Sequence, residues 1–599
     1  MTRILNIVSL LLCAAAVTAA GKPAEKPDPQ WWSLQPVKAA AVPPMPAGGR
    51  NEIDAFLAPR LEAEERGLSS EAPGAVLLRR AAFDLTGLPP SPEELATFEK
   101  AAETDAFEKE VDRLLASPGY GEKWARHWLD IARYGESDGF EFDKPRPEAW
   151  RYRDWVVRAL NDDLAYRQFA LWQIAGDVVE PDNPDAVTAA AFLVCGPYDD
   201  TNKVTASENL RNVMRQDELE DIVGTTGQVF LGLTLHCARC HDHKFDPVSI
   251  QEYYQVASCF AGVGRGKRDL PARAGTVFTV MPKDAPVVRV LDRGSPLKPL
   301  DAVRPGGIAA LDGVTPDFQL PDNAPEGERR RALAQWVTHP DNPLFARTIV
   351  NRVWFWHFGR GLVSTPGDLG RSGGQPSHPE LLDWLAGWFR ENGWSLKKLH
   401  RLILTSAAWR QTSAGDGSAA LYGKMERRRL TSEELRDAML AAAGVLNTTS
   451  GGPPYQDFRM ENKANTMHYH PEDKDAPEVN RRSIYRMWAR GGPQPLLNAF
   501  DCPDSSVSTP ARSSTTTPLN ALTLLNSSFT FNMAGHLSTR LVKDAGDDPA
   551  HQVNRLFLLT TGRPPSDAAR TACLGMAAQH GLPAVCRVVL NTSAFLTIE

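Results

Sequence analysis

Apolar residues recur at helical spacing along almost the whole chain, and this constrains the fold more than any other feature. Ile53, Phe56, Leu57 and Leu61 form one stripe, and residues 77–85 and 107–115 carry two more. A period near 3.6 residues means that each stripe is the buried face of a helix. The punctuation agrees with the period. Thr86-Gly87-Leu88-Pro89-Pro90 stops one helix; Ser91 caps the next, with Pro92 in its first turn and Glu94 three residues after the cap. Further helices are expected over 123–134, 154–160, 217–233 and 328–336, and helical segments continue to the C-terminus. Residues 277–280 and 287–291 read instead as strands among many Gly and Pro residues. A chain of 599 residues is too long for one core. The expected fold is therefore mainly α: a helical domain over 51–263, a small β-containing connector over 264–325, and a second helical domain over 326–599.

The N-terminus adds a destination. Arg3, an apolar run over 4–17 and the small pair Ala19-Ala20 make residues 1–20 read as a secretory signal, and 21–50 as a Pro- and Ala-rich extended lead-in. An exported protein of the periplasm or cell envelope is expected, with no stable membrane span once the signal is removed. The net charge of −7 gives no reason to expect a nucleic-acid partner. The fifteen tryptophans suit a core better than a sugar-stacking surface. Two Arg-rich stretches, 326–331 and 426–429, read as exposed helix faces of mixed charge.

The chemistry is densest at Leu235-His236-Cys237-Ala238-Arg239-Cys240-His241-Asp242-His243-Lys244. Cys-x-x-Cys-His places two thiols where they reach the two vinyl groups of a porphyrin, with His241 as the axial iron ligand. The same stretch offers Cys237, Cys240, His241 and His243 as a compact set for zinc or iron. His127, on an apolar stretch of helix, is a further candidate ligand. In an exported protein a Cys237–Cys240 disulfide is the third reading. Without Cys13, seven cysteines remain, and Cys195, Cys259, Cys502, Cys573 and Cys586 read as small buried hydrophobes.

A second cluster, Arg133-Tyr134-Gly135-Glu136-Ser137-Asp138-Gly139-Phe140-Glu141-Phe142-Asp143, puts four carboxylates within eight residues. Arg133, Tyr134, Glu136 and Asp138 are its candidates for acid–base work. The competing reading is a loop whose carboxylates pair with Arg146, Arg151 and Arg153. The spacing does not fit a calcium-binding EF-hand.

The chain resembles the secreted planctomycete cytochrome-associated proteins, which join two domains of unknown function. The first is carried by Leu78-Arg79-Arg80, Phe83-Asp84-Leu85-Thr86-Gly87-Leu88-Pro89-Pro90, His127-Trp128-Leu129-Asp130-Ile131-Ala132-Arg133-Tyr134 and the cysteine motif. The second is carried by Asn351-Arg352-Val353-Trp354, His357-Phe358-Gly359-Arg360-Gly361-Leu362-Val363, Arg481-Arg482-Ser483-Ile484-Tyr485 and Phe500-Asp501. The resemblance implies covalent c-type haem at Cys237, Cys240 and His241, and electron transfer or redox chemistry with a redox partner protein at the cell envelope. It also implies a link to polysaccharide degradation. The alternatives stay open: a zinc- or iron-dependent enzyme acting on an extracellular glycan, or a non-catalytic envelope scaffold.

Overall fold

The structure, a computed structural model, describes residues 28–599 apart from 102 and 416. The secretory-signal reading of residues 1–20 lies outside the described residues. Among the described residues the fold is mainly α: twenty-three α-helices and four two-stranded antiparallel sheets. No described helix is long and apolar enough to cross a membrane.

Local signals act where the sequence places them. Ser91 and Glu94 form a reciprocal capping box at the start of Pro92–Lys100, and Gly87 closes Gly74–Thr86 in the left-handed conformation that costs glycine nothing. The connector forms a hairpin, Val263–Asp269 with Thr276–Pro282, and a shorter pair, Arg289–Leu291 with Pro299–Ala302.

Two stretches differ from expectation. Met467, His468 and His470, which the sequence reads as an exposed loop, lie in a strand, Thr466–Pro471, paired with Phe458–Lys463. Ala464 and Asn465, both at positive φ, make its two-residue turn. The Arg-rich stretches are exposed only in part: Glu328, Arg331, Glu426 and Arg427 face solvent, and the other arginines turn inward. Arg329 and Arg330 in helix Glu326–Val337 are fully buried. Arg329 donates to the carbonyls of Ala324, Asp322 and Pro286, and Arg330 binds Asp177 at 2.7 Å. Arg428–Arg429 is a short strand paired with Thr597–Ile598. A guanidinium enters a core only when its donors are satisfied, and here carbonyls and carboxylates satisfy them.

The main core runs from Leu34 to Leu497 and takes residues from both helical segments; a second core, from Phe83 to Ile598, gathers the C-terminal helices. The seam between the segments is specific. Helix Pro343–Phe358 packs on the wide turn Gly227–Leu231, and Arg352 donates to the carbonyls of Gln228 and Pro366 at 2.5 and 2.9 Å. With no carboxylate beside it, burial lowers Arg352 to about 10. The lead-in lies along the second segment, with Arg347 holding the Gln35 carbonyl at 2.7 Å and Trp31 donating to that of Leu369 at 2.9 Å. This seam positions the cysteine motif.

Candidate functional site

The motif sits on a 3-10 turn, Leu235–Arg239, that directly follows the seam. Leu235 and Ala238 are buried and anchor the turn, so the intervening thiols face outward: Cys237 and Cys240 are exposed, and neither is in a disulfide. Arg239 ties the turn to helix Glu208–Thr226 through Asp217, at 2.8 Å, and Glu220. The Tyr254 hydroxyl donates to the Arg239 carbonyl at 3.1 Å. Gly294 of the connector, at φ +72°, lies against Cys240: a Cβ there would stand 2.8 Å from the Cys240 sulfur.

The three histidine and cysteine roles separate here. His241 is exposed, and its Nδ1 lies 2.7 Å from the Asp242 carbonyl. A carbonyl only accepts, so Nδ1 carries the proton and Nε2 keeps a free lone pair. His243 is buried and its ring is occupied at both ends. Its Nδ1 accepts the amides of Asp246 and Phe245 at 2.8 and 3.2 Å, which leaves Nε2–H facing Thr234 Oγ1 at 3.2 Å. Burial lowers His243, against the pull of Asp246. Burial also raises the Cys237 thiol, and Asp246, Asp368 and Glu220 add to this against a hydrogen bond from Thr234. Among the described residues no three His, Cys, Asp or Glu side chains are placed to hold a metal ion together.

The far side of the loop is fixed by the second segment. Asp246 accepts the Arg371 amide at 2.7 Å. Its carboxylate fills the space where a side chain at Gly370 would begin, 2.5 Å from a Cβ built there. Only glycine admits so close an approach.

The acidic cluster lies elsewhere and faces inward. Arg133 is buried and bidentate on Asp221. Asp138 accepts from Arg146 at 2.7 Å, and Asp143 accepts the Gly139 and Gly491 amides at 2.6 and 2.7 Å. Arg151 pairs with Glu148 instead. Glu136 is buried with Arg153 at 3.7 Å, and the Tyr134 hydroxyl and the Trp488 backbone lie beside its carboxyl. Burial pushes the Glu136 carboxyl up to about 7, against the Arg153 charge. Glu141 is exposed.

His127 has a third set of neighbours. It stacks on Trp356 at 4.7 Å, touches Trp124, and faces a cleft built from five separate stretches of chain. Its neighbours include none of the 235–246 loop. Arg428 and Arg512, which line that cleft, were not legible as site residues, because their carboxylate partners are far away in sequence. The one local hint was His127 itself, set between Trp124 and Trp128 on its helix.

Residues 52–265 match the family model PSCyt2, described as a protein of unknown function (DUF1549), and residues 329–577 match PSD1, a protein of unknown function (DUF1553). No curated protein and no solved structure matches the chain.

Proposed function

The chain belongs to the cytochrome-associated family that joins PSCyt2 to PSD1, and from that premise we propose that it is an exported c-type haem protein of the cell envelope. Cys237 and Cys240 would hold the haem, and His241 would ligate its iron. The observation that carries this reading is the state of His241: exposed beside two exposed free thiols, with its Nδ1 proton committed to the Asp242 carbonyl and its Nε2 free. An orienting hydrogen bond on the far ring nitrogen is what an iron-ligating imidazole needs.

The residues present fit the group. Cys237 and Cys240 would hold the group as thioethers, and burial keeps Cys237 in its thiol form. A bound haem supplies one-electron chemistry. The chain's own part is to hold the two sulfurs on one rigid turn, present Nε2, and fix the loop through Asp246 and Gly370. The four-ligand zinc or iron reading is less well supported, because both nitrogens of His243 are already engaged within its own loop.

The test is expression with a haem-attachment system, followed by denaturing electrophoresis and haem staining. Wild type should stain, and the Cys237→Ser/Cys240→Ser double variant should not. His241→Ala should keep the stain and lose the axial-ligand features of the visible spectrum. A colourless wild type carrying stoichiometric zinc or iron would overturn the reading.

A further inference from the structure

The cleft at His127, about 290 Å³ in volume, is built from elements that the haem reading leaves unused. Helix Pro118–Ile131 supplies Lys123, His127 and Asp130; the C-terminal end of Pro343–Phe358 supplies Phe355, Trp356 and His357. The strand at Arg428–Arg429 and the loop carrying Arg512 close it.

Its charges are layered. Lys123 binds Glu434 at 2.7 Å. Arg428 binds Asp84, and Glu434 at 3.3 Å. Arg512 grips Asp130 at 2.6 Å and both oxygens of Glu433. The carboxylates lie behind and the guanidinium groups in front: the Asp84, Asp130 and Glu434 side chains are 1%, 2% and 3% exposed, against 22% for Arg428 and 14% for Arg512. Buried carboxylates thus fix the guanidinium planes and leave their remaining faces to the cleft. Burial opposes ionisation of Asp84, yet Arg428 and His357 hold it at about 2, so the layer stays ionised.

At the rim stand Arg427, Glu426 and the Asp501–Arg429 pair. His127 reports the sign of the interior. After burial, the groups that act on it are Lys123, Arg512, Arg428 and His357, each of which disfavours its protonation. Its ring makes no hydrogen bond within the described residues, and it lines the cleft while stacked on Trp356.

We propose that this cleft binds a small organic oxyanion, a molecule carrying one carboxylate, sulfate ester or phosphate group on a ring. The oxyanion lies before Arg428 and Arg512 and accepts from His127, and the ring packs along Phe355 and Trp356. A cleft of this volume holds a single ring and its substituent rather than a polymer segment. The site is independent of the cysteine motif and stands or falls separately from haem attachment.

The experiment is calorimetric titration of the full-length protein with benzoate, phenyl sulfate and phenyl phosphate, with benzyl alcohol as the uncharged ring. At least one anion should bind, benzyl alcohol should bind at least tenfold more weakly, and added salt should weaken the anion. The order among the three anions identifies the oxyanion. His127→Phe keeps the stack on Trp356 and removes no protein hydrogen bond, so it should fold; it should weaken the preferred anion about 10- to 150-fold, the loss of one hydrogen bond to a charged group. Arg427→Ala, at the exposed rim, should weaken it less and in a salt-dependent way. Benzyl alcohol binding as tightly as the anions, no binding of any anion, or an unchanged affinity in His127→Phe would each overturn the proposal.

Discussion

Glu136→Gln separates a buried carboxyl held in its neutral form from an ordinary ion pair. Glu136 is fully buried, and burial outweighs the pull of Arg153, 3.7 Å away, and of the hydrogen bonds from Tyr134 and the Trp488 backbone. Its carboxyl is raised from 4.5 to about 7 in the fold. The folded state therefore binds a proton more tightly than the unfolded chain does. Below about pH 4.5 both states are protonated and the group's stabilising contribution is fully present; as pH rises through 7 that contribution is lost. At about 1.4 kcal/mol per pH unit the loss is about 3 kcal/mol. Unfolding entropy of about 2.1 cal/mol/K per residue over 599 residues converts this to about 2–3 °C in melting temperature. Glutamine has the same shape and no titration. The melting temperature of Glu136→Gln should match wild type near pH 4.5 and exceed it by about 2–3 °C at pH 8, as read by calorimetry at fixed ionic strength. A difference that does not change with pH, or a variant less stable at pH 8, would refute the reasoning.

Two other substitutions probe the seam and the buried arginines. Gly370→Ala forces a methyl group against the Asp246 carboxylate and strains its bond to the Arg371 amide; it should cost about 1–3 kcal/mol in denaturant unfolding. Arg330→Met removes the partner of Asp177 and Glu326 and leaves Arg268, at 3.0 Å, to hold Asp177 alone; a loss of about 3–5 kcal/mol is expected by the same measurement.

The helices were legible because their signals are local. Stripes such as Ile53, Phe56, Leu57 and Leu61, the Ser91–Glu94 box and the Gly87 stop depend on neighbours within a turn or two. The hairpin ending at Pro471 was not legible: its strands carry Arg, Glu, Asn, His and Lys, and its turn depends on Ala464 taking a positive φ that alanine does not advertise. Charge patterning misled at Arg329, Arg330 and Arg428, because an arginine is written the same way whether water or a distant carbonyl satisfies it. At the cysteine motif, spacing revealed the ligands but not their division of labour. That His243 is spent on the Phe245 and Asp246 amides, while His241 keeps a free nitrogen, follows from the path of the loop as Asp246 is caught on the second segment. The His127 cleft was hidden most completely, since its cations come from three segments and become a site only when the two cores meet.

The most direct measurement of the central claim is the intact mass of the denatured protein after expression with a haem-attachment system. The account predicts a mass increase equal to one haem per chain, localised by peptide mapping to the fragment holding Cys237 and Cys240. An unmodified mass, with both cysteines recovered as free thiols from a strain that loads a control cytochrome, would contradict it.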